Sequence, residues 1–168
     1  EELSRLLCDD ALSPRVGDPL QFVGSVLDHL PAGVDGLQRY RSQILSRIYV
    51  GLALKNYGFG KVADAKGQFA EAIALDPTRL EQRDDFAASL SHYAMHLPLS
   101  SPLSYVDTVL QNLPVQAQSL ACVRPRVLSD VNIGCAFQDY YAGHKRAVIR
   151  RTLAALRYRP SWLGNRGV

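Results

Sequence analysis

The chain has 168 residues, of which 47% are hydrophobic and 21% are charged, and these proportions exclude a disordered or fibrous protein. The 19 Lys and Arg residues against 16 Asp and Glu residues leave a net charge of +3, too small a surplus to predict nucleic-acid binding. Three cysteines without CxxC spacing, Cys8, Cys122 and Cys135, predict neither a disulfide framework nor a zinc site, so a reducing, cytoplasmic setting fits best.

The start of the chain and its least charged stretch bear on membrane association. No basic-then-apolar leader follows Glu1, so we expect no signal peptide and expect the chain to be a fragment of a longer protein. The stretch from Phe86 to Val106 lacks Asp, Glu, Lys and Arg, but it contains two histidines, two prolines and five serines. Its composition therefore predicts two soluble helices joined by a proline-rich loop, not a transmembrane segment.

Apolar spacing predicts helices along the whole chain and no strand. The first is expected over about residues 1–12, and the second begins at Asp18-Pro19 and ends at Pro31. Gly58 and Gly60 end the third helix, and Asp76-Pro77 ends the fourth. The remaining expected helices, in chain order from the third, cover residues 37–57, 61–75, 79–96, 103–113, 120–141 and 145–158.

An internal repeat organises the sequence, because an offset of 83 residues aligns the chain with itself without a gap. Over positions 18 to 80 this register gives 18 identities, including Ser46 on Ser129 and Gly60 on Gly143. The sequence therefore predicts an all-α fold of two tandem 83-residue four-helix units, residues 1–83 and 84–168, stacked as one continuous solenoid.

The helix pair before Pro77 resembles a tetratricopeptide repeat. Seven of the eight signature positions match, and the eighth, where a Tyr is usual, is Asn56. Small residues at three of these positions let the helices approach closely, and the proline stops the second helix. The matching residues are Tyr49, Leu52, Ala53, Ala65, Phe69, Ala72 and Pro77. The resemblance implies a tetratricopeptide-like α-α superhelix.

The concave wall of such a stack commonly holds a peptide or another domain. In the first copy the expected wall residues are Arg47, Val50, Leu54 and Tyr57. In the second copy they are Asp130, Ile133, Phe137, Tyr140 and Tyr141. This wall is apolar and aromatic, so a clamp for acidic chain ends is not expected. Two alternatives remain, a groove for a partner and a wall covered by the chain's own additional helices.

The net charge is unevenly distributed between the two halves. Residues 1–83 contain 10 basic and 11 acidic residues, a balance of −1, whereas residues 84–168 contain 9 and 5, a balance of +4. Most of the excess lies in the last predicted helix, whose candidates for binding a partner or an anion are Lys145, Arg146, Arg150, Arg151 and Arg157. Such a helix can dock on an acidic domain, an anionic membrane surface or a phosphate-bearing ligand, or it can be a solvated outer helix.

No catalytic, cofactor or metal motif is found. His92 and His96 have the i, i+4 spacing of a metal-binding pair, but Tyr93 stands where a zinc protease would have Glu and no third ligand is evident. No nucleotide-binding glycine loop and no nucleophile-base-acid arrangement occurs. The sequence therefore predicts no catalytic residue, no metal and no cofactor.

Three segments, SHYAMHLPL, SPLSYVDTVLQNLP and RYRPSWLGNRGV, resemble the helical region that follows the catalytic domain in family 2 glycosyltransferases of cyanobacterial type. The resemblance covers most of residues 37–168. It implies that the whole protein transfers a sugar from a nucleotide-sugar donor, using a metal-dependent domain with a DxD motif that is not in this chain. The chain would then be an appended module, and its partner would be another protein or its own catalytic domain.

Two hypotheses from different classes follow. The first is a non-catalytic helical-repeat module for protein-protein or interdomain interaction, with peripheral membrane contact through the basic helix as a further option. The second is an autonomous ligand-binding or catalytic domain for a nucleotide sugar or another phosphate-bearing ligand. The second hypothesis would use the neighbourhood of Tyr140, Tyr141, His144 and Arg146.

Overall fold

A computed structural model describes residues 11–12, 17–29 and 37–164, and it describes side chains from residue 40 onward in the last of these ranges. The regular structure in these ranges is helical without any strand, so the prediction of an all-α chain is confirmed. The predicted helix at 1–12 lies almost wholly outside the described residues. The helices are α1 Pro19–Asp28, α2 Leu37–Gly58, α3 Val62–Leu75, α4 Arg83–His96, α5 Pro102–Gln111, α6 Arg124–Tyr141 and α7 Lys145–Tyr158.

The helices are grouped into two compact units. The first unit contains α1 to α3 together with Pro114–Ala117, and the second unit contains α4 to α7. The predicted boundary after residue 83 and the predicted superhelix remain predictions.

In the first unit, α1 begins where the sequence predicts. Oδ1 of Asp18 accepts hydrogen bonds from the N–H groups of Leu20 at 3.0 Å and Gln21 at 3.1 Å, and Pro19 occupies the first turn, where no N–H is needed. The apolar side of α1 packs on α2 in a cluster whose buried members are Ala11, Val23, Leu27, Ile44 and Ile48.

A glycine turn joins α2 to α3. Gly60 has a φ of +76°, and the N–H groups of Gly60 and Lys61 donate to the carbonyls of Tyr57 and Asn56 at 3.2 and 2.9 Å. Because the connection is so short, α3 folds back along α2 and the two helices pack together.

Small side chains form the contact between α2 and α3. Ala53, Ala65 and Ala72 are fully buried beside Phe69, so the backbones come close. The Ser46 hydroxyl then donates to the Ala72 carbonyl at 2.8 Å. Close packing of the two helices through these small side chains agrees with their burial, whereas the resemblance to a tetratricopeptide repeat remains a prediction.

The second unit is built on α6. This helix packs against α4, α5 and α7. Ser101 caps the N-terminus of α5, and its hydroxyl accepts a hydrogen bond from the N–H of Ser104 at 3.3 Å. The buried core side chains include Phe86, Leu90, Tyr105, Val106, Val109, Leu120, Val127 and Val131.

Two predicted helix starts are wrong. The expected helix over 79–96 is a short 3₁₀ segment, Pro77–Leu80, followed by α4, because Gln82 leaves helical geometry with a ψ of 54°. The expected helix over 120–141 begins only at Arg124, where a proline occupies the first turn, and a 3₁₀ segment, Val115–Val123, precedes it.

Helix boundaries recur 83 positions apart inside the two units. Pro19–Asp28 of α1 corresponds to Pro102–Gln111 of α5, and Val62–Leu75 of α3 corresponds to Lys145–Tyr158 of α7. The hairpin glycine recurs as well, since Gly143 has a φ of +78° where Gly60 has +76°. Residues of the first hairpin, formed by α2 and α3, therefore have counterparts 83 positions later in the second hairpin, formed by α6 and α7.

None of the described helices combines the length and the apolar character needed to cross a membrane.

Candidate docking face on α7

The position of α7 is fixed by the turn that precedes it. Gly143 takes the left-handed conformation, and the N–H groups of Gly143 and His144 donate to the carbonyls of Tyr140 and Asp139 at 3.0 and 2.8 Å. These bonds reverse the chain at the end of α6, so α7 runs back along it from Lys145.

Polar contacts hold the inner side of α7 against α6. The Ser129 hydroxyl donates to the Ala155 carbonyl at 2.9 Å and accepts from Nε1 of Trp162 at 3.0 Å. Nearer the turn, Nε of Arg151 donates to Oδ2 of Asp139 at 3.1 Å. The orientation of α7 is therefore set at both ends, which decides which residues face outward.

The inner side of α7 buries little. Ala155 is the one side chain of this helix that is fully buried, whereas α3 buries four. At the position of Phe69 in α3, α7 has Thr152, which is only half-buried. The second hairpin therefore lacks the bulky side chain that fills the first.

Two large apolar side chains lie on the outer side of α7. Ile149 is 61% exposed and Leu153 is 62% exposed, one helical turn apart. The corresponding positions of α3 are occupied by Lys66 and Ala70. The outer apolar pair thus belongs to the second unit alone.

Four cations surround this pair, and we call them the basic face: Lys145, Arg146, Arg150 and Arg157. All four are exposed, and among the described residues no acidic side chain lies within ion-pair distance of them. The three arginines fall within an arc of about 40° beside Leu153, at 100° of rotation per residue. Charge on this side is therefore unbalanced within the described part of the chain.

The other two arginines of this region are already engaged. Arg151, which the sequence places among the binding candidates, pairs with Asp139, and Nη1 of Arg159 lies 3.7 Å from Oδ1 of Asp130. Arg159 also lies over the Trp162 ring, with its guanidinium carbon 5.9 Å from the ring centroid. Arg151 therefore differs from the basic face, because it holds α7 to α6.

Asp130 of the predicted wall lies between two cations. Its carboxylate is 3.7 Å from Nη1 of Arg159 and 3.9 Å from Nε of Arg126. Burial raises the pKa of Asp130 above its ordinary value, and the two arginines act in the opposite direction. The carboxylate of Asp130 therefore pairs with Arg126 and Arg159 and does not neutralise the charge of the basic face.

The predicted wall of the first unit is largely buried. Leu54 is fully buried and Tyr57 is 3% exposed, while Arg47 and Val50 are half-buried. Burial raises the pKa of the Tyr57 hydroxyl to about 12. These four residues offer little surface to a partner.

The predicted wall of the second unit is exposed at its end. Phe137 is 50% exposed, Tyr140 is 68% exposed and Tyr141 is 84% exposed, while Ile133 is half-buried. The rings of Tyr140 and Tyr141 meet edge to face with centroids 5.7 Å apart. Equivalent positions of the repeat are therefore buried in the first unit and exposed to solvent in the second.

The histidine pair packs ring on ring. His92 and His96 stack with centroids 4.2 Å apart, and Nδ1 of His96 lies 2.8 Å from the His92 carbonyl oxygen. In the described part of the chain, no three His, Cys, Asp or Glu side chains are grouped as a metal site requires. Cys122 is exposed and Cys135 is buried, whereas Cys8 lies outside the described residues.

Sequence reasoning alone did not identify two of these features. The exposure of Ile149 and Leu153 was missed because apolar residues at helical spacing are normally assigned to a core. The contact between Trp162 and Ser129 had one available signal, the identity of Ser46 with Ser129 in the repeat.

No family model, no curated protein and no solved structure matches this chain.

Proposed function

We propose that this chain is a non-catalytic, tetratricopeptide-like helical-repeat module that mediates protein-protein or interdomain interaction through its second unit. The observation that carries the proposal is the outer side of α7, where Ile149 and Leu153 are more than half exposed beside four cations that no described acid balances. Exposed apolar side chains with adjacent arginines are typical of binding surfaces.

The wider context of the module is also a proposal. The resemblance of most of residues 37–168 to the helical region after the catalytic domain of family 2 glycosyltransferases suggests a C-terminal module of such an enzyme in the cytoplasm. There it would position the enzyme, an acceptor or a partner protein. In this proposal the chain supplies no catalytic residue and binds no metal or cofactor.

Site-specific photocrosslinking in the cells that produce the protein tests the interaction. Benzoylphenylalanine is placed at Leu153 and, as the matched control, at Phe59 of the first unit, because both side chains are 62% exposed. We expect a discrete protein crosslink from position 153 that is lost when Arg150 and Arg157 are changed to Glu. Position 59 is expected to give none.

Two results would contradict the proposal. One is the absence of any crosslink at position 153. The other is saturable calorimetric binding of a nucleotide sugar by the isolated chain that disappears in Arg146→Ala, because it would favour an autonomous ligand-binding domain around Tyr140, Tyr141 and His144.

A further inference from the structure

The outer residues of α7 follow the spacing of a helix-packing seam. Arg146, Ile149, Leu153 and Leu156 are separated by steps of three, four and three, which are the a, d, a and d positions of a heptad repeat. We call Ile149, Leu153 and Leu156 the seam. Its first two members are exposed and the third is half-buried.

The width of the seam indicates whether it would pack on a protein core, on a membrane or on a single helix. At 100° per residue the three side chains occupy an arc of about 60°, whereas the apolar stripe of a helix on a core spans about 100° or more. Helices that lie on membranes bury a broad apolar face between the headgroups. The narrow stripe on α7 matches the contact of one helix with another.

Cations occupy the positions that flank the seam. Arg150 and Arg157 fall at consecutive e positions, and Lys145 falls at a g position. Charges at e and g select the partner helix in such packing, because they pair with residues of opposite sign. A second copy of α7 would place cations against cations, so self-pairing along this seam is disfavoured.

We propose that α7 docks one acidic amphipathic helix of a partner protein, with Leu or Ile against the seam and Glu or Asp against the basic face. This inference rests on the proposed function and names the chemistry of the partner. The partner's apolar stripe covers Ile149 and Leu153, and its carboxylates meet Arg150 and Arg157. Arginine suits this role because its guanidinium group can hold a carboxylate through two hydrogen bonds.

Binding of a defined peptide to the full chain tests the inference. The probe is a fluorescent three-heptad peptide with Leu at a and d and Glu at e and g, whose own charges oppose self-association. Fluorescence anisotropy is expected to show saturable binding that Leu153→Asp weakens about thirtyfold, as for a central interface residue. Val115→Asp is the matched control, because Val115 is also apolar, is 85% exposed and lies outside α7, and this variant should bind the peptide as the unaltered chain does.

A second peptide-binding experiment reverses the charges at the two e positions. The double variant Arg150→Glu, Arg157→Glu should lose the Glu peptide and gain a peptide of the same design with Lys at e and g. Equal binding of a scrambled peptide, or no change on charge reversal, would overturn the inference. Binding to phosphatidylserine vesicles that requires Leu153, without binding of the Glu peptide, would also overturn it and identify a membrane surface as the partner.

The inference and the proposed function fail separately. A crosslink from position 153 in cells, combined with no binding of the Glu peptide, overturns the acidic helix and leaves the interaction module standing. The absence of a crosslink overturns both, whatever the peptide shows.

Discussion

Nε1 of Trp162 donates a hydrogen bond of 3.0 Å to the hydroxyl of Ser129, which itself donates to the Ala155 carbonyl at 2.9 Å. The first unit has the same arrangement with a different donor, since Nε of Arg79 lies 3.3 Å from the Ser46 hydroxyl, which donates to the Ala72 carbonyl. A buried serine that both accepts and donates thus connects each hairpin to the segment that follows it.

Loss of this hydroxyl should destabilise the second unit. Ser129→Ala removes the acceptor of the Trp162 N–H, so we expect the free energy of unfolding to fall by about 1–3 kcal/mol. Urea unfolding followed by tryptophan fluorescence measures the change, because Trp162 is the one tryptophan of the chain.

Ser91→Ala is the control for this substitution. The Ser91 hydroxyl oxygen is buried without a hydrogen-bond partner among the described residues, so its removal should leave stability unchanged or raise it. A loss equal to that of Ser129→Ala would show that the Trp162 contact contributes nothing specific.

The repeat register predicted the position of Ser129 but not what it binds. Identity of Ser46 with Ser129 and of Gly60 with Gly143 was readable from the sequence, and so were the helix ends at prolines. The segment after each hairpin diverges, with Asp76 and Arg79 in one copy against Arg159 and Trp162 in the other. The donor to each serine was therefore visible only in the structure.

The burial of a wall residue in one copy of the repeat did not predict the burial of its counterpart in the other copy. Tyr57 and Tyr140 occupy the same position of the repeat, but Tyr57 is 3% exposed and Tyr140 is 68% exposed. The same contrast separates Leu54 from Phe137. Helical periodicity gives the direction of a side chain within its own helix, whereas exposure depends on what the rest of the chain packs against it.

The two hairpin glycines should tolerate no side chain. Gly60 and Gly143 have φ values of +76° and +78°, a region that costs an alanine about 1–2 kcal/mol. We expect Gly143→Ala and Gly60→Ala to lower the free energy of unfolding by that amount, measured by urea unfolding followed by circular dichroism.

Gly67 provides the comparison for these glycines. It lies within α3 with normal helical φ, and a Cβ there would meet nothing within 4 Å. Gly67→Ala should therefore stabilise the chain by about 0.5–1 kcal/mol. If all three substitutions changed stability in the same direction, backbone conformation would not be the cause.

The half-buried carboxyl of Asp130 should make stability depend on pH. Burial raises the pKa of Asp130 in the folded chain, so the folded state binds the proton more tightly than the unfolded state. Stability from this group is then fully present below the unfolded pKa of about 4 and is lost as pH rises through the folded pKa. Asp130→Asn should flatten the pH dependence of the unfolding free energy in this acidic range.

An Asp139→Asn variant serves as the control, because Asp139 is also paired with an arginine and lies on the same helix. In this variant the free energy of unfolding is still expected to fall as pH rises, because Asp130 is unchanged. If stability of the unaltered chain instead rose through this range and Asp130→Asn removed the rise, pairing with Arg126 and Arg159 would outweigh burial.

Changes on the outer side of α7 should leave the fold intact, which separates docking from folding. Ile149 and Leu153 are 61% and 62% exposed, so Ile149→Asp and Leu153→Asp should each change the free energy of unfolding by no more than about 0.5 kcal/mol. Ile73 of α3 is 8% exposed, and Ile73→Asp should reduce stability by several kcal/mol, on the order of the cost of a buried unpaired charge. Thermal unfolding of the three variants measures the contrast. A large loss in Leu153→Asp would mean that this side chain supports the hairpin, and the peptide experiment would then rest on the charge-reversed variant.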